Sequence, residues 1–445
     1  MSVPPVESTF YDTEYETMPR DRLADLQLEL LLDTIAFTYE RSPLIRALWR
    51  KARITPADVR TLDDFREKVP FISKDAVRHF RDERADPYGG LLCLPPAELT
   101  AIMSTSGTTG DPTLVAEKWG GASVGRPAIM YRDFWGMGVR PGDYFSLFLF
   151  TFRGPTYGFV QSLGAVPLLF DYDLDEIERL LRLSIEYGPT AMYNFGGTMI
   201  LATEQIAARA GIDPREAFAS YRGIVWAGEP LGARARGLAR EWGMSLFEHS
   251  SVGDVTASFE CSAHDGMHVW EDTVLVEGID PDAGDHRDAA AVTDDDARCE
   301  LVATALTNRV APLVRYRSDD IVRITRTPCP CSRTHARIRT VGRKGDEVVV
   351  AGRSVLPVDV WSAIDSIDAC RLGLFQIIRP ARELDELRLR VGYQDTAASR
   401  LSTLADEIAA AVTAEVGVTP AVELVPNAEL LRLGPPHKIP RVAAR

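Results

Sequence analysis

Residues 104–113 read STSGTTGDPT and follow the short apolar run 101–103, so one loop gathers several hydroxyl side chains and two glycines. Hydroxyls and unobstructed backbone N–H groups converging on one point hold polyphosphate oxygens well. The segment therefore predicts a phosphate cradle built from Ser104, Thr105, Ser106, Gly107, Thr108, Thr109 and Gly110, although the composition is also that of a surface loop. No Gly-Lys-Ser/Thr follows at Walker spacing, and no GxGxxG opens a helix, so two common nucleotide loops are excluded. Cys329 and Cys331, in CPC, are close enough to share a metal, whereas six irregularly spaced cysteines make no disulfide framework.

The elements that must position these groups belong to a long chain. Its 445 residues exceed one ordinary core and predict two or three compact units. With 45% hydrophobic and 26% charged residues it is globular rather than disordered or fibrous. Acidic residues outnumber basic ones 64 to 50, and the resulting charge of −14 argues against nucleic acid or an anionic membrane as partner. No stretch approaches the ~20 apolar residues of a membrane span. The N-terminus lacks a cationic start and an apolar run, so a cytoplasmic protein is expected.

Leu23, Leu26, Leu30 and Ile35 recur at helical spacing and predict helix over 15–50, and Thr61 with Asp64 predicts a capped helix start beyond it. From Leu99 short apolar runs (YFSLFLF, GAVPLLF, GIVWAGEP) alternate with helical stretches (LDEIERLLRLSIEY, GARARGLAREW), the pattern of an α/β unit with crossover helices. Residues 278–298 are acidic and turn-rich and read as a surface loop. After Arg343 a small α+β unit is expected: strand EVVVAG, helix 357–367, strands LFQIIRP and LRLRVGY, a helix with Leu401, Leu404, Ile408 and Val412 on one face, and AVELVP as last strand. The division is therefore 1–343 and 344–445.

The loop at 104–113 resembles the phosphate loop of the adenylate-forming superfamily, and nearly the whole chain resembles its phenylacetate-CoA ligase branch. The resemblance implies a large N-terminal domain with helices packed on β-sheets and a small mobile C-terminal domain. It also implies ATP-dependent conversion of a carboxylic acid to an acyl-adenylate, with release of pyrophosphate and transfer to a thiol. WAGEPL at 226–231 resembles the adenine-side element, which makes Gly228, Glu229 and Pro230 nucleotide neighbours. YRSDDIVRI at 316–324 matches the family's ribose segment through Asp320. VGRKGDEVVVAG at 341–352 is similar to the hinge segment, with Arg343 as a second ribose or phosphate contact and Gly345 as pivot. HKIPR at 437–441 resembles the terminal element whose lysine, here Lys438, enters the site during adenylation; with Thr105 and Thr108 it is assigned the catalytic role. One departure stands out: FEHSSV at 247–252 puts Ser251 where the family has a metal-binding Glu. Either Glu248 or His249 reorganises the site beside Ser250, or Mg²⁺ is held by ATP.

The resemblance places the acid pocket along Phe152, Arg153, Tyr157, Tyr193, Phe195 and Trp226, an aromatic set suited to a flat ring. It also brings Cys261 near Cys329 and Cys331, and three thiolates with His268 or His264 would satisfy a structural Zn²⁺. The implied reaction ligates an aromatic acid to coenzyme A. A carrier-protein thiol or an amine as acceptor, and a nucleotide-binding paralogue without catalysis, remain as alternatives. A homodimer is a further expectation from the resemblance.

Overall fold

The computed structural model describes residues 3–104, 114–118, 129–149, 156–252, 255–281, 283, 290–344, 346–381, 383–394, 400–434 and 439–443. The helix expected over 15–50 is divided into Thr13–Glu16, Arg20–Arg41 and Pro43–Ala52. Proline has no N–H to continue a helix, so Pro43 opens a new one at its first position. Ser42 caps it, the hydroxyl oxygen accepting from the Ile45 N–H at 3.3 Å. The expected cap at Thr61 is a reciprocal box: the Asp64 N–H donates to the Thr61 hydroxyl at 3.0 Å, and the Thr61 N–H donates to the Asp64 carboxylate at 3.2 Å. These helices close over Phe65, Ile72, Leu306 and Tyr316 in one buried cluster.

Eleven strands form one mixed sheet. From one edge, Val166–Asp171, Tyr144–Leu149, Ala191–Tyr193, Gly223–Ala227 and Leu246–Val252 run parallel. Helices Thr156–Ser162, Ile177–Tyr187, Gly197–Ala210 and Ala233–Glu241 lie between them in sequence, the crossover arrangement that parallel pairing requires. The sheet continues antiparallel through Thr256–Glu260, Met267–Val269, Arg337–Arg343, Tyr316–Thr325, Arg298–Ala305 and Val274–Ile279. Leu246–Val252 is thus the strand where the sheet changes sense. The described part of the 278–298 loop is partly built: Val292 N–H donates to the Gly278 carbonyl at 2.9 Å and Ala291 bridges to Ile279.

Among the described residues, strands from Val348 onward pair only with each other. Val348–Val350, Arg353–Val355 and Glu383–Leu384 make a three-stranded sheet. Pro420–Pro426, Leu387–Tyr393, Phe375–Ile378 and Val442–Ala443 make a four-stranded one in that order. Helices Pro357–Ile364 and Leu401–Val416 cover them, the second burying Leu404, Ile408 and Val412. AVELVP is not the last strand: helix Asn427–Leu431 follows it, and Val442–Ala443 returns parallel to Phe375–Ile378. Two residues are too short a run for periodicity to register. Among the described residues no helix is long and apolar enough to cross a membrane.

Candidate active site and metal cluster

Ligands of open α/β sheets bind beyond the carboxyl ends of parallel strands, and the central three strands here end on Tyr193, Ala227 and Val252. Residues aligned across neighbouring strands share a face, and successive residues alternate. The registers Tyr193↔Val225↔Phe247 and Ala227↔His249 put Tyr193, His249 and Ser251 on one face; Trp226↔Glu248 lies on the other. The sheet therefore separates Tyr193 from Trp226. Phe195 joins the core on the Trp226 side, its ring stacked on Phe148 at 6.0 Å and tilted on Phe218 at 5.8 Å. Tyr157 is exposed on its helix. Phe152 and Arg153 lie outside the described residues.

On the first face the Tyr193 hydroxyl and His249 Nδ1 are hydrogen-bonded at 2.8 Å. Phe134 meets Tyr193 edge-on at 5.7 Å, and Phe259 lies 6.0 Å from the His249 ring. On the other face Glu248 stands beside Glu260, whose carboxylate accepts from the Glu248 N–H at 3.0 Å and lies 3.2 Å from His264 Nδ1. Burial first, and the Glu260 charge second, push the Glu248 carboxyl up to about 7. Ser251, opposite Ala257, is exposed. Ser250 lies between them, its carbonyl accepting from Ser258 Oγ at 3.2 Å.

Asp320 and Arg343, predicted from separate motifs, are partners in one antiparallel ladder and form an ion pair of 3.2 Å. Asp319, just before, has φ of 63°, and its carbonyl accepts from the Lys344 N–H at 2.6 Å. Below them Arg317 pairs with the fully buried Glu300 at 2.6 Å, and Lys344 reaches the same carboxylate at 3.3 Å. The ladder end and the start of the connection to the C-terminal strands are thus held as one piece.

Gly228, with φ of 97°, turns the chain after Ala227 and leads through Pro230 to the helix at Ala233. Glu229 on this turn pairs with Arg441, the Arg441 Nη2 lying 2.7 Å from its carboxylate. The predicted cradle is bracketed by an antiparallel hairpin, Ala101–Ser104 with Leu114–Glu117. Residues 105–110, Gly345 and Lys438 lie outside the described residues.

Cys261, His268, Cys329 and Cys331 bring their ligand atoms within 4.8 Å of one another. Cys261 and Cys329 sulfurs are 3.6 Å apart, and Cys331 Sγ is 3.3 Å from His268 Nε2. His268 Nδ1 lies 3.1 Å from the His335 carbonyl oxygen. A carbonyl only accepts, so Nδ1 carries the proton and Nε2 presents its lone pair to the sulfurs. His264 is the other candidate imidazole, but it faces Glu260. A hydrogen bond from Cys261 holds the Cys331 thiol well below its usual range. Three sulfurs and one imidazole are the donor set of a closed tetrahedral site.

Sequence reasoning missed the charges that fasten this cluster to the N-terminus. Arg333 donates to the buried Glu16 at 2.8 Å, the Thr334 hydroxyl to the Met18 carbonyl at 2.6 Å, and His335 Nε2 lies 2.8 Å from the Tyr15 carbonyl. Arg132 forms a fully buried two-pronged pair with Asp272, at 2.8 and 2.9 Å. The available signal was Arg132-Asp133 inside the otherwise apolar IMYRDFWG.

The fold is that of the adenylate-forming ligases. No family model matches the chain. It is 29% identical over 449 aligned positions to a phenylacetate-coenzyme A ligase of Thermus thermophilus, covering 95% of this chain and 96% of that protein. A solved 2-hydroxyisobutyryl-CoA ligase in the postadenylation state, with an acyl-AMP bound, superposes with a TM-score of 0.79 at 23% identity, covering 100% of this chain and 94% of that one. The same ligase in the thioesterification state, with acyl-AMP and CoA, gives 0.68 at 25% identity, covering 96% and 91%. The likeness to phenylacetate-CoA ligases read in the sequence therefore extends over nearly the whole chain.

A dication on the cluster would join the turn at Cys261 to the segment that holds the N-terminal helices, so metal and stability should be linked. Protein purified without added zinc is expected to carry about one equivalent per chain, and Cys329→Ser to lower both metal content and thermal midpoint. Metal-free protein with undiminished stability would leave these cysteines as packing residues.

Proposed function

We propose that the chain converts an aromatic carboxylic acid to its acyl-adenylate with ATP and then transfers the acyl group to coenzyme A. The observation that carries this reading is the Asp320–Arg343 pair, the ladder's last rung before the C-terminal unit, in a chain similar throughout to phenylacetate-CoA ligases. A carboxylate there accepts from ribose hydroxyls, and the adjacent guanidinium holds it in place. The hydroxyl and N–H donors of 104–110 stabilise charge on the pentacoordinate phosphorus and departing pyrophosphate, and Lys438 neutralises the oxygens joining acid and phosphate. No covalent enzyme intermediate is needed. Tyr193, Phe134, Phe259 and His249 favour a flat, aromatic acid, with the Tyr193–His249 hydrogen bond as the polar edge.

Mg²⁺ would supply Lewis-acid charge at the phosphates. The carboxylate expected for it is absent at Ser251, and Glu248 faces the other side of the sheet, so these residues do not fit an inner ligand. Such an ion would have to be held by ATP itself. Ser251 is also the observation favouring the second reading, a nucleotide-binding paralogue with little catalysis.

Asp320→Ala removes charge-assisted hydrogen bonds worth about 1.5–3 kcal/mol each, so ATP should bind at least an order of magnitude more weakly by calorimetry. Unchanged affinity would refute the ribose assignment. The proposed boundary at 343/344, with Gly345 as pivot, makes the two half-reactions separable. Lys438→Ala should depress pyrophosphate release while sparing reaction of a supplied acyl-adenylate with CoA; Gly345→Pro should chiefly impair the CoA step. Equal slowing of both steps by both substitutions, with the fold intact, would contradict domain alternation.

A further inference from the structure

Arg441 belongs by its backbone to the C-terminal unit and by its side chain to the large sheet. Its carbonyl accepts from the Ile377 N–H at 2.7 Å, the preceding Pro440 carbonyl accepts from Gln376 at 3.0 Å, and Ile439 is buried against Leu374 and Leu430. The guanidinium lies over Trp361 at 4.1 Å and Phe375 at 4.7 Å, and Nη1 donates to the Gly373 carbonyl at 2.7 Å. The remaining edge donates to Glu229, from Nε at 3.1 Å and from Nη2 at 2.7 Å. Both side chains are about nine-tenths covered, with relative exposures of 9% and 11%. Two aromatic rings, a carbonyl and a carboxylate together fix the fork in one orientation.

The Glu229 turn meets the same unit again one turn later. Asp365 accepts from the Arg234 N–H at 3.2 Å, and a Cβ on Gly232 would come within 2.8 Å of the Trp361 indole nitrogen. A side chain at 232 would therefore have to displace Asp365 or Trp361, and any rotation of the C-terminal unit must part Arg441 from Glu229.

We propose that Arg441 is a positioning residue for the first half-reaction: its ion pair with Glu229 holds the C-terminal segment against the turn that follows Gly223–Ala227, and breaking it releases that segment for the second. The inference rests on the function proposed above. Lys438 stands three residues before Arg441, and three residues span at most about 11 Å, so fixing Arg441 bounds where the lysine can act. Glu229 accordingly serves the domain contact rather than the nucleotide.

Full-length protein carrying Arg441→Ala, Glu229→Gln, both together, or Arg441→Lys tests this. Arg441→Ala should lower the turnover of acid-dependent pyrophosphate exchange at least about tenfold with KM for ATP little changed, and leave CoA attack on supplied acyl-adenylate near wild type. Glu229→Gln should do the same, the double variant should be no worse than either single one, and Arg441→Lys should restore part of the loss because it keeps charge without the fork. Additive losses, or equal losses in both half-reactions, would overturn the proposal. Hydrogen exchange separates it from the functional reading. Arg441→Ala should deprotect amides in 229–234 and 357–365 even if the wild-type chain exchanges no pyrophosphate, and unchanged protection there would overturn the latch.

Discussion

The register that sets Asp320 opposite Arg343 constrains everything around it. Because the pair closes the ladder between Tyr316–Thr325 and Arg337–Arg343, the last rung of that ladder is also a fixed point just before the C-terminal unit. A slip of one residue in either strand would turn that strand's side chain to the opposite face and part the two. The pair is held from beneath by Glu300, which forms a buried pair with Arg317 and also receives the more exposed Lys344. Removing one partner from a buried pair of this kind costs about 3–5 kcal/mol. The proposed ribose contact is therefore stiff, while the chain just beyond Lys344 enters the segment on which the C-terminal unit would turn.

A second set of buried charges does comparable work at the opposite end of the antiparallel strands. Arg333 with Glu16 joins the N-terminal helices to the Cys329–Cys331 turn, and Arg132, on the helix Ile129–Gly136, with Asp272 ties that helix to the segment just after Met267–Val269, the strand that carries His268. Such pairs add little net stability compared with apolar packing, but each fixes one partner geometry. The four ligand atoms at 261, 268, 329 and 331 are drawn together by residues distant in sequence, which is consistent with a structural rather than a catalytic role: four protein donors leave no open coordination position.

Much of the architecture was legible because it rests on local signals. The Thr61–Asp64 box, the alternating apolar runs and crossover helices, and Leu404, Ile408 and Val412 on one helix face all follow from spacing alone. The faces of the central strands were not legible. Tyr193 and Trp226 are both aromatic residues near strand ends, and only the register Tyr193↔Val225 assigns them to opposite sides of the sheet. The same parity separates Glu248 from Ser251. Likewise His268 could not be preferred to His264 until Glu260 was found beside one and the His335 carbonyl beside the other. The Arg441–Glu229 contact joins positions 212 residues apart, a distance at which no periodicity operates.

In the proposed reaction the acid is activated by adenylation before any thiol takes part. The most direct measurement is ATP–pyrophosphate isotope exchange without CoA, across a panel of aromatic and aliphatic carboxylic acids. Exchange that depends on the acid, is supported best by an aromatic one and needs no thiol is expected. Nucleotide binding with no exchange for any acid, or exchange appearing only when CoA is added, would contradict it.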